Sequence, residues 1–117
     1  MFRITKEFHF SASHQLDHLP ACHQCARLHG HNYIVVVELA AADLNADGFV
    51  RDYHELAALK DYIDGTFDHR HLNDVLDCPS TAEHMARHFY LWCKARWPEV
   101  AAVKVSETPK TWAEYRP

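Results

Sequence analysis

Hydrophobic and polar residues alternate along two early segments of the chain, at about residues 2–14 and 29–42. Successive side chains of a strand point to opposite faces, so a period of two predicts two strands, each with an apolar face. The apolar positions of the first are Phe2, Ile4, Phe8, Phe10 and Ala12, and those of the second are Tyr33, Val35, Val37 and Leu39.

The apolar period then lengthens to that of a helix. The first helical set is Leu56, Leu59, Ile63 and Phe67, and the second is Met85, Phe89, Trp92 and Cys93. Asp52 followed by Glu55 resembles a capping box before the first helix, and Gly65 offers a stop. Ser80 or Thr81 is the candidate cap of the second helix, which Trp97-Pro98 would end.

Two short strands close the predicted domain, the first at Val103 and Val105 and the second at Trp112 and Tyr115. The order ββααββ predicts an α+β fold in which a four-stranded antiparallel sheet carries both helices on one face. The 117 residues suffice for one domain, residues 1–117. Because such a sheet has two open edges, we expect a cyclic oligomer whose strands join into a barrel.

Composition narrows the function classes. The chain is 48% hydrophobic, its formal net charge is −4, and it has no basic cluster that indicates nucleic-acid or membrane binding. No segment resembles a secretion signal or approaches the roughly 20 apolar residues that span a bilayer, so we expect a cytoplasmic protein. Eleven histidines are the one anomaly, and they favour metal chemistry.

Three of these histidines are candidate metal ligands. His29 and His31 project from the same face of the second strand, about 7 Å apart along the backbone. His14 ends the first strand in phase with its apolar residues, so pairing of the two strands brings all three together. Three imidazoles with an open fourth position are typical of a catalytic zinc site, and we expect one zinc per chain.

A closed structural zinc site is the alternative. It would use Cys22, Cys25, His29 and His31, but it leaves His14 unexplained and would exclude a substrate. In the open site, Cys25 lies at the mouth and is a candidate catalytic base.

Two further features carry candidate chemistry. Asp68 followed by His69 fits a carboxylate that orients an imidazole for proton relay with Cys25. Glu107 is in phase with Val103 and Val105, an unusual place for an acid, and its two oxygens match a guanidinium-like ligand edge.

These motifs, in order, resemble the 6-pyruvoyl-tetrahydropterin synthase family, and within it the bacterial 6-carboxy-tetrahydropterin synthases of queuosine biosynthesis. The resemblance is carried by Phe8-x-Phe10-x-Ala12-x-His14, Cys25-x3-His29-Gly30-His31-Asn32-Tyr33, Gly48-x-Val50-x-Asp52-Tyr53, Asp68-His69-x2-Leu72-Asn73, Ser80-Thr81-Ala82-Glu83 and Ser106-Glu107-Thr108. The three-residue gap between Cys25 and His29 resembles that of the 6-carboxy enzymes.

The resemblance implies a tunnelling fold (T-fold), in which three chains pool their sheets into a barrel and two trimers stack as a hexamer. It implies that the three histidines hold zinc, that Cys25, Asp68 and His69 are catalytic, and that Glu107 and Thr81 bind the pterin. The implied enzyme is a lyase that converts 7,8-dihydroneopterin triphosphate to 6-carboxy-tetrahydropterin, acetaldehyde and triphosphate. Two alternatives stay open: a 6-pyruvoyl-tetrahydropterin synthase, which does not cleave the carbon–carbon bond, and a non-catalytic zinc-binding module.

Overall fold

A computed structural model describes all residues, 1–117, and it contains one five-stranded sheet with two α-helices. The strands are β1 (Phe2–His14), β2 (His29–Ala41), β3 (Arg70–His71), β4 (Val100–Ser106) and β5 (Ala113–Tyr115). The helices are α1 (Ala57–Thr66) and α2 (Ala82–Lys94). The order of strands across the sheet is β3-β1-β2-β4-β5.

The two long strands pair as the alternating pattern predicts. β1 and β2 are antiparallel in one unbroken register, from Phe2 opposite Ala41 to His14 opposite His29. The candidate metal ligands therefore lie at the end of the sheet where β1 ends and β2 begins. β4 pairs antiparallel with β2, and β5 pairs antiparallel with β4.

The prediction of a four-stranded, wholly antiparallel sheet is wrong in one detail. β3 adds a fifth strand of two residues, which runs parallel to β1 beside Ala12 and Ser13. Two residues are too few to show an alternating pattern, so nothing in the sequence distinguishes β3 from a loop. The α+β class and the two helices on one face are confirmed.

One continuous core of 23 buried residues fills the space between the sheet and the helices. Phe10 of β1 stacks on Tyr33 of β2, with ring centroids 4.9 Å apart, and meets Phe67 and Phe89 from the helical layer. Each fully buried aromatic or aliphatic side chain stabilises the fold by about 1.5–3 kcal/mol relative to exposure. The core therefore holds β1 and β2 in the register that sets the histidines side by side.

Polar side chains cap both helical segments. Asp52 accepts a hydrogen bond from the His54 N–H and caps the short 3₁₀ turn, Tyr53–Leu56, that leads into α1. Thr81 caps α2 by accepting from the His84 N–H at 3.2 Å, so Thr81 and not Ser80 is the cap. Gly65 lies inside α1, which ends one residue later at Thr66. None of the helices has the length and apolar character needed to cross a membrane.

Candidate functional site

Three histidines meet where β1 ends and β2 begins. His14 faces His29 in the strand register, and His31 lies two residues further along the same face of β2. Their nearest ring nitrogens all lie within 4.8 Å of one another, and no other group of side chains forms such a cluster. The three histidines therefore converge as their positions on the two strands predict.

Backbone carbonyls determine which nitrogen of each ring faces the centre. The Nδ1 of His14 lies 2.7 Å from the Ser80 carbonyl oxygen, and the Nδ1 of His29 lies 2.7 Å from the Arg27 carbonyl oxygen. A carbonyl only accepts hydrogen bonds, so each Nδ1 carries the proton and donates it. The two Nε2 atoms, 2.9 Å apart, then face each other with lone pairs.

This arrangement suits a bound cation. Two facing lone pairs repel each other unless a proton or a metal ion lies between them. Burial lowers the pKa of His14 and of His31, and the neighbouring histidines lower both further, which favours the neutral ligand form. The Nε2 of His31 is buried and has no hydrogen-bond partner. The donor set therefore fits a three-histidine metal site of the zinc type.

An open cavity of about 520 Å³ adjoins the histidines. Besides His14, His29 and His31, it is lined by Leu16, Gln24, Cys25, Arg27, Leu28, Glu107, Thr108 and Thr111. Cys25 is partly exposed there, whereas Cys22 is exposed and lies outside the cavity. Neither cysteine joins the ligand cluster, so the structure does not support the closed Cys2His2 alternative.

Glu107 follows β4 and reaches into the same cavity. Its carboxylate lies 3.8 Å from the Nε2 of His31. Burial raises the pKa of Glu107, and the nearby charge of Glu83 raises it further. A desolvated carboxylate at a cavity wall is suited to a ligand that presents paired N–H donors.

Asp68 and His69 lie elsewhere. His69 lines a second cavity, of about 460 Å³, on the face of the sheet that carries Ser11, Ser13 and Asn32. The two cavities share only His31. The structure of a single chain therefore does not place His69 in the cavity of Cys25.

Asp68 nevertheless holds His69 as a relay pair requires. One Asp68 oxygen accepts from the Ser11 N–H at 2.9 Å, and the other lies 2.9 Å from the Nδ1 of His69. These hydrogen bonds lower the pKa of Asp68, that from Ser11 the most. His69 has a φ of 59°, in the left-handed region that is uncommon for a residue with a side chain. The imidazole is thus held outward, with most of its surface exposed.

Thr81, the remaining candidate from the sequence, lies outside the site, and other residues that were not assigned a role lie within it. Thr81 does not line the histidine cavity; its hydroxyl caps α2 and lies 2.8 Å from the Nδ1 of His84. Arg27, Thr108 and Thr111 do line that cavity. No role was predicted for either threonine, because isolated threonines carry no pattern. The carbonyls that orient His14 and His29 were also missed, since backbone groups leave no signal in side-chain identity.

Comparison with known proteins agrees with this geometry. The family model for 6-pyruvoyl tetrahydropterin synthase matches residues 3–117. The chain is 32% identical to the 6-carboxy-5,6,7,8-tetrahydropterin synthase of Bacillus subtilis, over 99% of this chain and 86% of that protein. It is 36% identical to the Synechocystis sp. protein of the same name, over 98% and 93%.

Solved structures match over the same extent. The structure of Caenorhabditis elegans 6-pyruvoyl tetrahydropterin synthase superposes with a TM-score of 0.85 at 26% identity, covering 99% of this chain and 95% of that one. An uncharacterised protein from Wolinella succinogenes shares the fold, with a TM-score of 0.87 at 22% identity, over 98% and 97%. With a family match over residues 3–117 and relatives this similar across most of their length, the chain belongs to the 6-pyruvoyl tetrahydropterin synthase family.

Proposed function

We propose that this protein is a zinc-dependent 6-carboxy-5,6,7,8-tetrahydropterin synthase. As a lyase, it would convert 7,8-dihydroneopterin triphosphate and one water to 6-carboxy-5,6,7,8-tetrahydropterin, acetaldehyde and triphosphate. The observation that carries the proposal is the open cavity where three histidines adjoin both a cysteine and a desolvated carboxylate. The names of the relatives at 32% and 36% identity support the choice of reaction.

His14, His29 and His31 would hold one zinc ion per chain, and the cavity leaves a side of the cluster open to substrate. When bound, zinc supplies a Lewis acid that stabilises negative charge on the hydroxyl oxygens of the substrate side chain. The fixed Nδ1–H donors of His14 and His29 keep both rings aimed at the same point.

The substrate would be oriented by Glu107. A pterin presents a 2-amino group and an adjacent ring N–H on one edge, and these two donors match the two oxygens of one carboxylate. With the pterin held there, its side chain would extend toward the histidines and Cys25, which would remove a carbon-bound proton.

The proton relay would then need a second copy of the chain. Cys25 and His69 line different cavities, so a relay between them is completed when one copy presents His69 to the Cys25 cavity of its neighbour. We therefore propose a cyclic homo-oligomer, a hexamer of two stacked trimers, in which neighbouring chains share each site. Asp68, which anchors His69 to β1, would keep the imidazole at that boundary.

The same proposal places the protein in the cytoplasm and in queuosine biosynthesis, with the pterin triphosphate as its small-molecule substrate and Thr81 as a second pterin contact. A net charge of −4 supports the absence of a nucleic-acid or membrane partner.

A titration of metal-free protein with zinc tests the proposal. Turnover of 7,8-dihydroneopterin triphosphate should rise with zinc and level off at one ion per chain. Cys25→Ala should bind the same zinc and lose turnover, while Cys22→Ala, the matched control, should keep both. Turnover that does not depend on zinc would contradict the proposed zinc dependence, and normal turnover by Cys25→Ala would contradict the role of Cys25 as the base.

A further inference from the structure

The orientation of His14 depends on a group that is not itself a metal ligand. Its Nδ1–H donates to the carbonyl of Ser80, which lies 66 residues further along the chain in the loop before α2. Ser80 is fully buried. The orientation of the His14 ring therefore depends on how firmly this loop is held next to the end of β1.

One side chain spans that distance. The Oδ1 of Asn73 accepts from the Gln15 N–H at 2.9 Å and from the Ser80 hydroxyl at 3.1 Å, and its Nδ2 donates to the Gln15 carbonyl at 2.6 Å. Gln15 directly follows His14, and the Ser80 carbonyl accepts the hydrogen bond from the His14 Nδ1–H. A single carboxamide thus joins the backbone of Gln15 to the side chain of Ser80, and the backbone carbonyl of Ser80 is the group that holds the His14 ring.

Asn73 has no other evident role in the site. It belongs to the short 3₁₀ turn Leu72–Asp74 and lines neither the cavity of Cys25 nor that of His69. Both polar atoms of its carboxamide are used within the protein, since the oxygen accepts two hydrogen bonds and the nitrogen donates one. It therefore acts on the metal centre through His14 and not by contact with a ligand.

We propose that Asn73 is a positioning residue of the metal centre, which holds Gln15 and Ser80 so that the Nε2 of His14 points at His29 and His31. This inference rests on the metal site of the proposed function. Groups that orient metal-binding histidines through their second nitrogen typically change metal affinity by about 10–100-fold when they are removed. Here the orienting group is the Ser80 carbonyl, and Asn73 holds the same residue through its hydroxyl.

The test measures zinc affinity of the full-length protein by competition with a chelator, without substrate. Asn73→Ala should weaken zinc binding by about 10–100-fold and change the visible spectrum of the cobalt-substituted protein. Asn45→Ala is the matched control, because Asn45 also accepts two backbone hydrogen bonds, from Asp47 and Phe49, but in a turn outside both cavities. It should reduce thermal stability and leave zinc affinity and the cobalt spectrum unchanged.

Asn73→Asp is the second variant if Asn73→Ala fails to fold. It keeps the two accepted bonds and loses the donated one, so its zinc affinity should fall between those of the wild type and Asn73→Ala. Wild-type zinc affinity in a folded Asn73 variant would overturn the inference. A wild-type protein that binds zinc but does not turn over the pterin would overturn the proposed function alone, and one that binds no zinc would overturn both.

Discussion

The Nδ1 atoms of His14 and His29 determine the chemistry of this site more than the ring positions do. Each is committed to a carbonyl at 2.7 Å, so both Nε2 atoms present lone pairs to a shared centre. A histidine pair that bound only other protein groups would place a donor opposite an acceptor. At the β1–β2 junction two lone pairs face each other instead, and a proton or a metal ion between them relieves the repulsion; this gives the metal interpretation a physical basis beyond the spacing of the residues.

His14→Ala should lower bound zinc from one ion per chain to nearly none. The substitution removes one of three ligands and leaves two imidazoles, which hold zinc poorly. Elemental analysis after dialysis against a weak chelator would measure the loss. Cys22→Ala should retain its zinc; the reverse pattern would favour a cysteine-containing site.

Glu107→Gln should weaken pterin binding by about 2–4 kcal/mol, the range for losing a hydrogen-bonded charge pair. The amide places a donor opposite one of the two pterin donors. Calorimetric titration of biopterin into both forms would measure the difference, and zinc content should not change. Equal affinities would remove Glu107 from the pterin site.

At the scale of the elements, the segments with a side-chain pattern were predictable, including the two short closing strands β4 and β5, and β3 was not. β1 and β2 are each 13 residues long and their core-facing apolar residues recur at alternate positions, so both strands are clear in the sequence and their ends match the prediction within a residue. β3 is held by backbone pairing to Ala12 and Ser13, which side-chain patterns do not encode. The placement of His69 depends on β3, so its separation from Cys25 could not be foreseen either.

The last strand is tied to the sheet by Glu38, a carboxylate of β2 on the face away from the helices. Arg116 donates two hydrogen bonds to it, at 2.6 and 2.9 Å, and Arg3 adds one at 3.4 Å. The hydrogen bonds from Arg116 hold the pKa of Glu38 below its usual value of 4.5, and the charges of both arginines add to this. This cluster joins β1, β2 and the segment after β5.

Glu38→Gln should therefore lower the midpoint of thermal unfolding by about 3–8 °C at neutral pH. A carboxyl whose folded-state pKa is depressed stabilises the fold above its unfolded pKa, and this contribution is lost as pH falls through the folded value. The difference from wild type should thus shrink in scans at about pH 3.5. Glu114→Gln, which removes an exposed partner of Arg116, should have little effect at either pH. A Glu38→Gln difference that persists unchanged in acid would contradict this account.

At the scale of the whole molecule, the proposed function makes the single chain an incomplete enzyme. It is an elongated body of 55 × 25 × 25 Å with short strands at both edges of its sheet. Its candidate base and its candidate relay histidine lie in different cavities. Assembly would both cover the edges and bring these groups together.

Mixed oligomers would reveal whether neighbouring chains share a site. Cys25→Ala and His69→Ala should each be inactive alone. When equal amounts assemble at random, about one site in four receives an intact Cys25 and an intact His69 from different chains, so about a quarter of the activity should return. Native mass spectrometry would verify that the chains have mixed. If mixed oligomers stay inactive, the relay does not cross between chains.

In the proposed reaction, this site cleaves a carbon–carbon bond in a pterin triphosphate. The most direct test is mass spectrometry of the products that the zinc-loaded wild-type protein forms from 7,8-dihydroneopterin triphosphate. We expect 6-carboxy-5,6,7,8-tetrahydropterin with equimolar acetaldehyde and triphosphate. Accumulation of 6-pyruvoyl-tetrahydropterin without acetaldehyde would contradict the proposed reaction and favour a 6-pyruvoyl-tetrahydropterin synthase. An unchanged substrate would contradict the assignment as an enzyme.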